Sequence, residues 1–201
     1  MGINAQIYIA DEDKQTVIFA YPNLFSSSTT LQVIRLEIGA LAAWTPANMV
    51  NIMPYAAEQY PQIFGQKTVD VLTVAPERTF GKRQRFCTMR PTAGTFGNSP
   101  RYSRHYYDLY RMSATSAKKT AFANLDLLQK VIEFKMKFYP RAWARYQEAV
   151  PKTLKLVPPK YRMSALLADY TSMKDMLYGD IPSFDTVMDS IKKLEDEIHT
   201  L

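Results

Sequence analysis

At Pro76 the hydrophobic period of the chain changes, and this change constrains the fold more than any single motif does. Before it come short runs rich in β-branched and aromatic residues: AQIYIA, TVIFAYP, TTLQVIRLEIGA, VNIMPY and TVDVLTV. Such runs predict strands. The polar DEDKQ between the first two predicts a hairpin, and Gln32, Ile34, Leu36 and Ile38 alternate along the third. Pro54 and Pro61 belong at edges or element ends, because proline cannot donate to a strand ladder. After Pro76 the apolar spacing is three and four, and Leu125, Leu128, Ile132 and Met136 predict one face of a helix. Helices are expected over 121–138, 140–149, 159–176 and 182–199, broken at Pro140, Pro151, Pro158, Pro159 and Gly179. The pattern predicts an α+β fold, with strands in residues 1–75 and a helical part in 76–201.

At 201 residues the chain can bury one good core or two small ones. Its 47% apolar and 12% aromatic content excludes the composition of disordered chains. No apolar run approaches the roughly 18–20 residues that span a bilayer, and no basic region followed by an apolar one opens the chain, so a cytoplasmic setting without membrane contact is expected. One cysteine, Cys87, excludes an internal disulfide, and with two histidines any metal would be held mainly by carboxylates. The net charge of +6 points to a polyanionic partner, since lysine and arginine gain affinity by releasing counterions from phosphates. Much of that charge lies in residues 78–111, where eight basic residues face one acid, Asp108.

Three groups of residues could carry chemistry. Asp11 and Asp13 have the spacing that puts two carboxylates on one side of an extended segment, as a Mg²⁺ clamp needs, and as a charged hairpin tip also has. Glu37 shares a strand face with Val33 and Arg35, where a carboxylate is costly unless it is paired, solvated or on a metal. Ser99 and Pro100 predict the N-cap and first residue of a helix over RYSRHYYDLYRM. On that helix Arg101, Arg104, Asp108 and Arg111 form one stripe suited to phosphates, with Asp108 orienting an arginine one turn away. A solvated ion-pair stripe has the same spacing, and His105 fits either a polar contact or simple packing.

The strings VIRLEIGA, NIMPYAAEQYP, VDVLTVAPERTF, RYSRHYYDLYRM, LVPP, LLADYTSMKDMLYGDIPSFD and LEDEI, in that order, resemble the second half of the AbiEii/AbiGii nucleotidyltransferase toxins. The resemblance runs from about Ala5 to Leu201, and PERTF, RYSRHYYDLYR and DYTSMKDMLYGDIPSF are its most specific pieces. It implies a polymerase-β-like nucleotidyltransferase sheet followed by an α-helical C-terminal domain, in a bacterial toxin–antitoxin and abortive-infection setting of phage defence. It further implies an NTP and, in some members, tRNA as substrates, Mg²⁺ as cofactor, and a cognate antitoxin. By motif, Glu37 takes the place of the family's catalytic, metal-side carboxylate. Arg101, Arg104, His105 and Asp108 take the places of R-x-x-[KR]-[DH]-x-x-D, with the first three toward nucleotide phosphates and Asp108 in the catalytic set.

Two departures from the family follow. Its Gly-Gly-Thr/Ser-Ser loop and Asp-x-Asp pair have no counterpart here, so the chain is expected to be N-terminally truncated and inactive alone. The alternative is a non-enzymatic basic RNA- or antitoxin-binding module. After PERTF, moreover, the chain reads GKRQRFCTMRPT where the family runs close to WEKATILHHEAN. A coding strand for residues 80–92 with one thymine restored after the Phe80 codon reads FWEKATILHHEAN. A frame-shifted passage from Gly81 to about Thr92 is therefore expected. With its basic residues, glycines and Pro91, 81–99 should form an exposed, aberrant loop, in which Lys82 and Arg83 do not count as the family's lysine and Cys87 has no role.

Overall fold

The computed structural model describes residues 4–11, 13–22, 33–38, 46–88, 101–138, 140 and 150–201, with 85–88 described by backbone alone. The N-terminal part forms two antiparallel sheets. In the first, β1 (Gln6–Ile9), β2 (Thr16–Ala20) and β3 (Val33–Glu37) lie in sequence order. In the second, β4 (Ala47–Ile52) pairs with β5 (Val69–Val74). The expected hairpin joins β1 to β2: Asp13 accepts from the Gln15 N–H and the Thr16 hydroxyl, a side-chain-closed turn. Pro54 precedes a short helix, α1 (Tyr55–Gln59), and Pro61 opens the 3₁₀ turn Pro61–Ile63, both positions where the missing N–H costs nothing.

The expected change of period holds. α2 (Pro76–Thr88), α3 (Arg104–Ser113), α4 (Ser116–Ala123), α5 (Leu125–Phe138), α6 (Met163–Ser172) and α7 (Phe184–His199) build the helical part. Its core joins Phe80 of α2, Tyr106 and Leu109 of α3, Ile132 of α5, Leu154 and Leu156, Leu166 and Tyr170 of α6, and the α7 stripe Phe184, Val187, Ile191, Leu194 and Ile198. That stripe repeats at three and four, and Ser183 caps α7 by accepting from the Thr186 N–H. Glu195 on the same helix accepts from the Leu156 and Val157 N–H groups, which ties the LVPP segment down.

Several expectations are corrected. Residues 81–88 are helix, not loop: Phe80, Gly81 and Gln84 are buried one turn apart, so α2 continues into the core whatever the helix propensity of its glycine. Residues 89–100, including Ser99 and Pro100, lie outside the described residues, as do 141–149 of the expected 140–149 helix. The helix expected over 121–138 is divided at Asn124, whose side chain caps α5 through the Leu127 N–H. The buried face of α5 is Leu127, Val131 and Ile132, rotated from the expected stripe, since Leu125 and Met136 are exposed. Among the described residues no helix is long and apolar enough to cross a membrane.

Candidate functional site

The basic cluster is built where α2 meets α3. Arg83 leaves α2 on the side facing α3, and its Nη2 lies 2.9 Å from Asp108 Oδ2. Its Nη1 donates to His105 Nδ1 at 2.6 Å. A guanidinium can only donate, so His105 Nδ1 accepts and the neutral ring keeps its proton on Nε2. The Tyr102 ring meets His105 edge-on at 5.3 Å, and Arg162 lies over the Tyr102 ring at 4.8 Å. Two nearby cations, Lys82 and Arg104, are exposed.

Burial and charge act together here. Burial, followed by Arg83, Arg104 and Lys82, lowers the His105 pKa from 6.5 to about 4. Burial raises the Asp108 pKa, while Arg83 and Arg104 pull against it. Around Arg83, the cations Lys82 and Arg104 thus stand beside a single ion-paired carboxylate, Asp108.

The stripe proposed from spacing is rearranged. α3 begins at Arg104, so Arg101 is not on it; Arg101 sits in the preceding turn at φ 65°, a left-handed conformation uncommon outside glycine. That turn is held by a residue 66–68 positions away: Asp169 of α6 accepts from the Arg101 N–H at 2.6 Å, the Ser103 N–H at 2.7 Å and the Ser103 hydroxyl at 2.6 Å. It thus braces the turn that leads into α3, whose N-cap residue Ser103 makes no side-chain cap of its own. Arg104 and Arg111 are exposed on the helix, whereas His105, Tyr106 and Leu109 face inward. Asp108 is ion-paired to Arg83 across the helices rather than through the expected pair one turn away.

Sequence reading therefore set aside Arg83, which joins the two helices, and it missed Asp169. Position 83 is also where the frame-restored string FWEK has lysine, a signal that could have found it. Asp169 lies in the DYTSMKDM string but has no local pattern of its own.

Glu37 lies apart from this description, exposed at the end of β3 and opposite Thr16. The Thr16 hydroxyl donates to Asp13, so the two acidic features flagged in the sequence lie at the same end of one sheet. Asp13 is committed to its turn, and the Gln15 and Thr16 bonds, in that order, lower its pKa. Among the described residues no three His, Cys, Asp or Glu side chains converge to hold a metal ion. The donor set described does not fit the Mg²⁺ that the resemblance implies.

Comparison with known proteins agrees with the resemblance: the family model for the nucleotidyl transferase AbiEii toxin, type IV TA system, matches residues 2–190. No curated protein and no solved structure matches the chain. With nearly its whole length matched, the chain belongs to the nucleotidyl transferase AbiEii toxin family of type IV toxin–antitoxin systems.

Proposed function

We propose that the chain is a nucleotidyltransferase-type toxin that holds the phosphates of an NTP and an RNA acceptor, tRNA by family analogy. The setting in this reading is the bacterial cytoplasm, beside a cognate antitoxin, in abortive infection against phage. The observation that supports it most is Arg83, fixed between Asp108 and His105 next to exposed Arg104 and Lys82. A guanidinium held on two sides loses less freedom on meeting an anion, and its exposed basic neighbours meet phosphate oxygens first. In this reading Arg101 and Arg104 contact phosphates, His105 gives a neutral polar contact, and Asp108 holds Arg83. Glu37 takes the metal or nucleotide side in a relative that carries the full carboxylate set.

Two-metal phosphoryl transfer needs several carboxylates converging on the metals. Among the described residues Glu37 and a turn-committed Asp13 do not provide them, and in this reading the chain binds without transferring. The basic RNA-binding module is the non-enzymatic form of the same proposal, and the excess positive charge around Arg83 favours it. Incubation with labelled NTPs and tRNA should give salt-sensitive binding that weakens about tenfold in Arg104→Ala, with no label transferred. Label transfer dependent on Glu37 refutes the inactivity, and binding indifferent to both salt and Arg104→Ala refutes the phosphate site.

A further inference from the structure

Tyr55 opens α1, and Tyr178 stands in the loop between α6 and α7. Their rings stack, with 4.4 Å between centroids and 9° between planes. Each ring covers one face of the other, yet the two residues are 62% and 66% exposed, so the outer faces of the pair are open to solvent. Beside Tyr178 the backbone turns at Gly179 with φ 74°, and a Cβ placed there meets nothing within 4 Å, which leaves the approach clear on that side. The loop starts at the basic site: the Ser103 hydroxyl donates to Met173 Sδ at 3.0 Å, next to the turn that carries Arg101. From Met173 to Tyr178 the chain can span at most about 18 Å, and the 3₁₀ turn Lys174–Met176 shortens that reach.

We infer that the Tyr55–Tyr178 pair is a stacking platform for an unpaired RNA base, reached by a strand whose phosphates lie at Arg101 and Arg104. The inference rests on the phosphate reading of the basic site and adds the kind of RNA held there. It is a single strand, because a base inside a duplex has both faces covered, whereas an unstacked base can lie on a tyrosine ring. Such a ring accepts every base, since each has a π-face, and single-strand sites that combine cations with aromatic rings take about 4–16 nucleotides. The platform and the Arg101 turn are close enough for one short strand to touch both. Local charge argues for a base rather than a phosphate at the tyrosines: the loop sets Lys174 against Asp175 and Asp180, and α1 carries Glu58. A polyanion drawn by the net charge of +6 is therefore held by its backbone at the arginines and by an uncharged ring here.

The test measures binding of the full chain to an RNA single strand of about eight nucleotides, to an abasic strand of that length and to the corresponding duplex, by fluorescence anisotropy over a salt series. Tyr178→Ala should weaken single-strand binding roughly 5- to 100-fold, leave the duplex and the abasic strand as in the parent, and keep the parent's salt dependence. Tyr178→Phe retains the ring and should bind like the parent. Arg104→Ala should weaken all three and flatten the salt dependence. Single-strand affinity that is unchanged in Tyr178→Ala, or that falls equally for single strand and duplex, overturns the inference. So does a parent chain that binds abasic and base-bearing strands equally, a comparison that needs no variant and decides even where Tyr178→Ala fails to fold. The two readings fail separately. Binding that ignores salt and Arg104→Ala but drops in Tyr178→Ala refutes the phosphate site alone, the reverse pattern refutes the platform alone, and no binding to any of the three overturns both.

Discussion

The helical part and the two sheets use apolar residues in opposite ways. Around α7, Val187 and Ile191 are 0% exposed and Leu194 2%, within a core that α2, α3, α5 and α6 share. In the three-stranded sheet, Ile7, Phe19 and Ile34 form one row across the strands and Ile9, Val17 and Leu36 the next, yet Ile7 is 65% and Ile34 61% exposed. The β4–β5 pair is similar, with Met49 63% exposed. Sheets of two or three strands with an open apolar face are marginal on their own, because ladder hydrogen bonds contribute little net stability without burial. Composition alone does not make a core; a chain average of 47% apolar residues conceals one region that buries them and another that displays them. A patch of that kind on a folded surface usually serves contact with something else.

The sharpest way to break this comparison is a pair of substitutions of the same type. Ile191→Ala should cost about 2–5 kcal/mol in urea unfolding, whereas Ile34→Ala should fall within about 0.5 kcal/mol. Equal losses would mean that the sheet face is covered in solution. Next in size is Asp169→Ala, which strands two N–H groups and the Ser103 hydroxyl and should cost about 2–3 kcal/mol. Asp169→Asn should lose less, and neither should alter amide exchange in β1–β3; accelerated exchange there would show that the two regions are coupled.

The pH dependence follows from His105. Its folded pKa of about 4 lies below its ordinary 6.5, so between these values the unfolded chain binds more protons and stability rises with pH. Acidification from 6.5 toward 4 should therefore weaken the helical part, and His105→Gln should flatten that window in thermal melts. Asp108, raised by burial, acts in the opposite sense near the bottom of the window, because the folded state takes up its proton more readily. The smallest effect is expected for Lys118→Ala: its 2.8 Å ion pair with Glu197 is largely solvated, and the loss should be about 0.2–1 kcal/mol.

Strand positions, the β1–β2 hairpin and the helical period were legible because they depend on neighbours within a few residues. The site was legible only in part. His105 and Asp108 stand in one recognisable string, but the partner that fixes both, Arg83, lies 22 residues before His105 in a passage whose glycine and crowded cations read as loop. Tertiary burial of Phe80 and Gln84 overrides that local signal. The start of α3 was misread for a related reason. Ser99 and Pro100 look like a helix opening, whereas the described turn at 101–103 takes its shape from Asp169. Chemistry supplied from 66 residues away leaves no trace in a local window.

That separation also sets an order in time. While the chain is being made, Arg101 and Ser103 emerge from the ribosome well before the carboxylate that shapes their turn. At synthesis rates of roughly 5–20 residues per second, the intervening 66 residues take on the order of 3–13 s. During that interval the turn that carries Arg101 lacks the acceptor that shapes it, so the entry to α3 takes its final form only late in translation, once α6 has emerged.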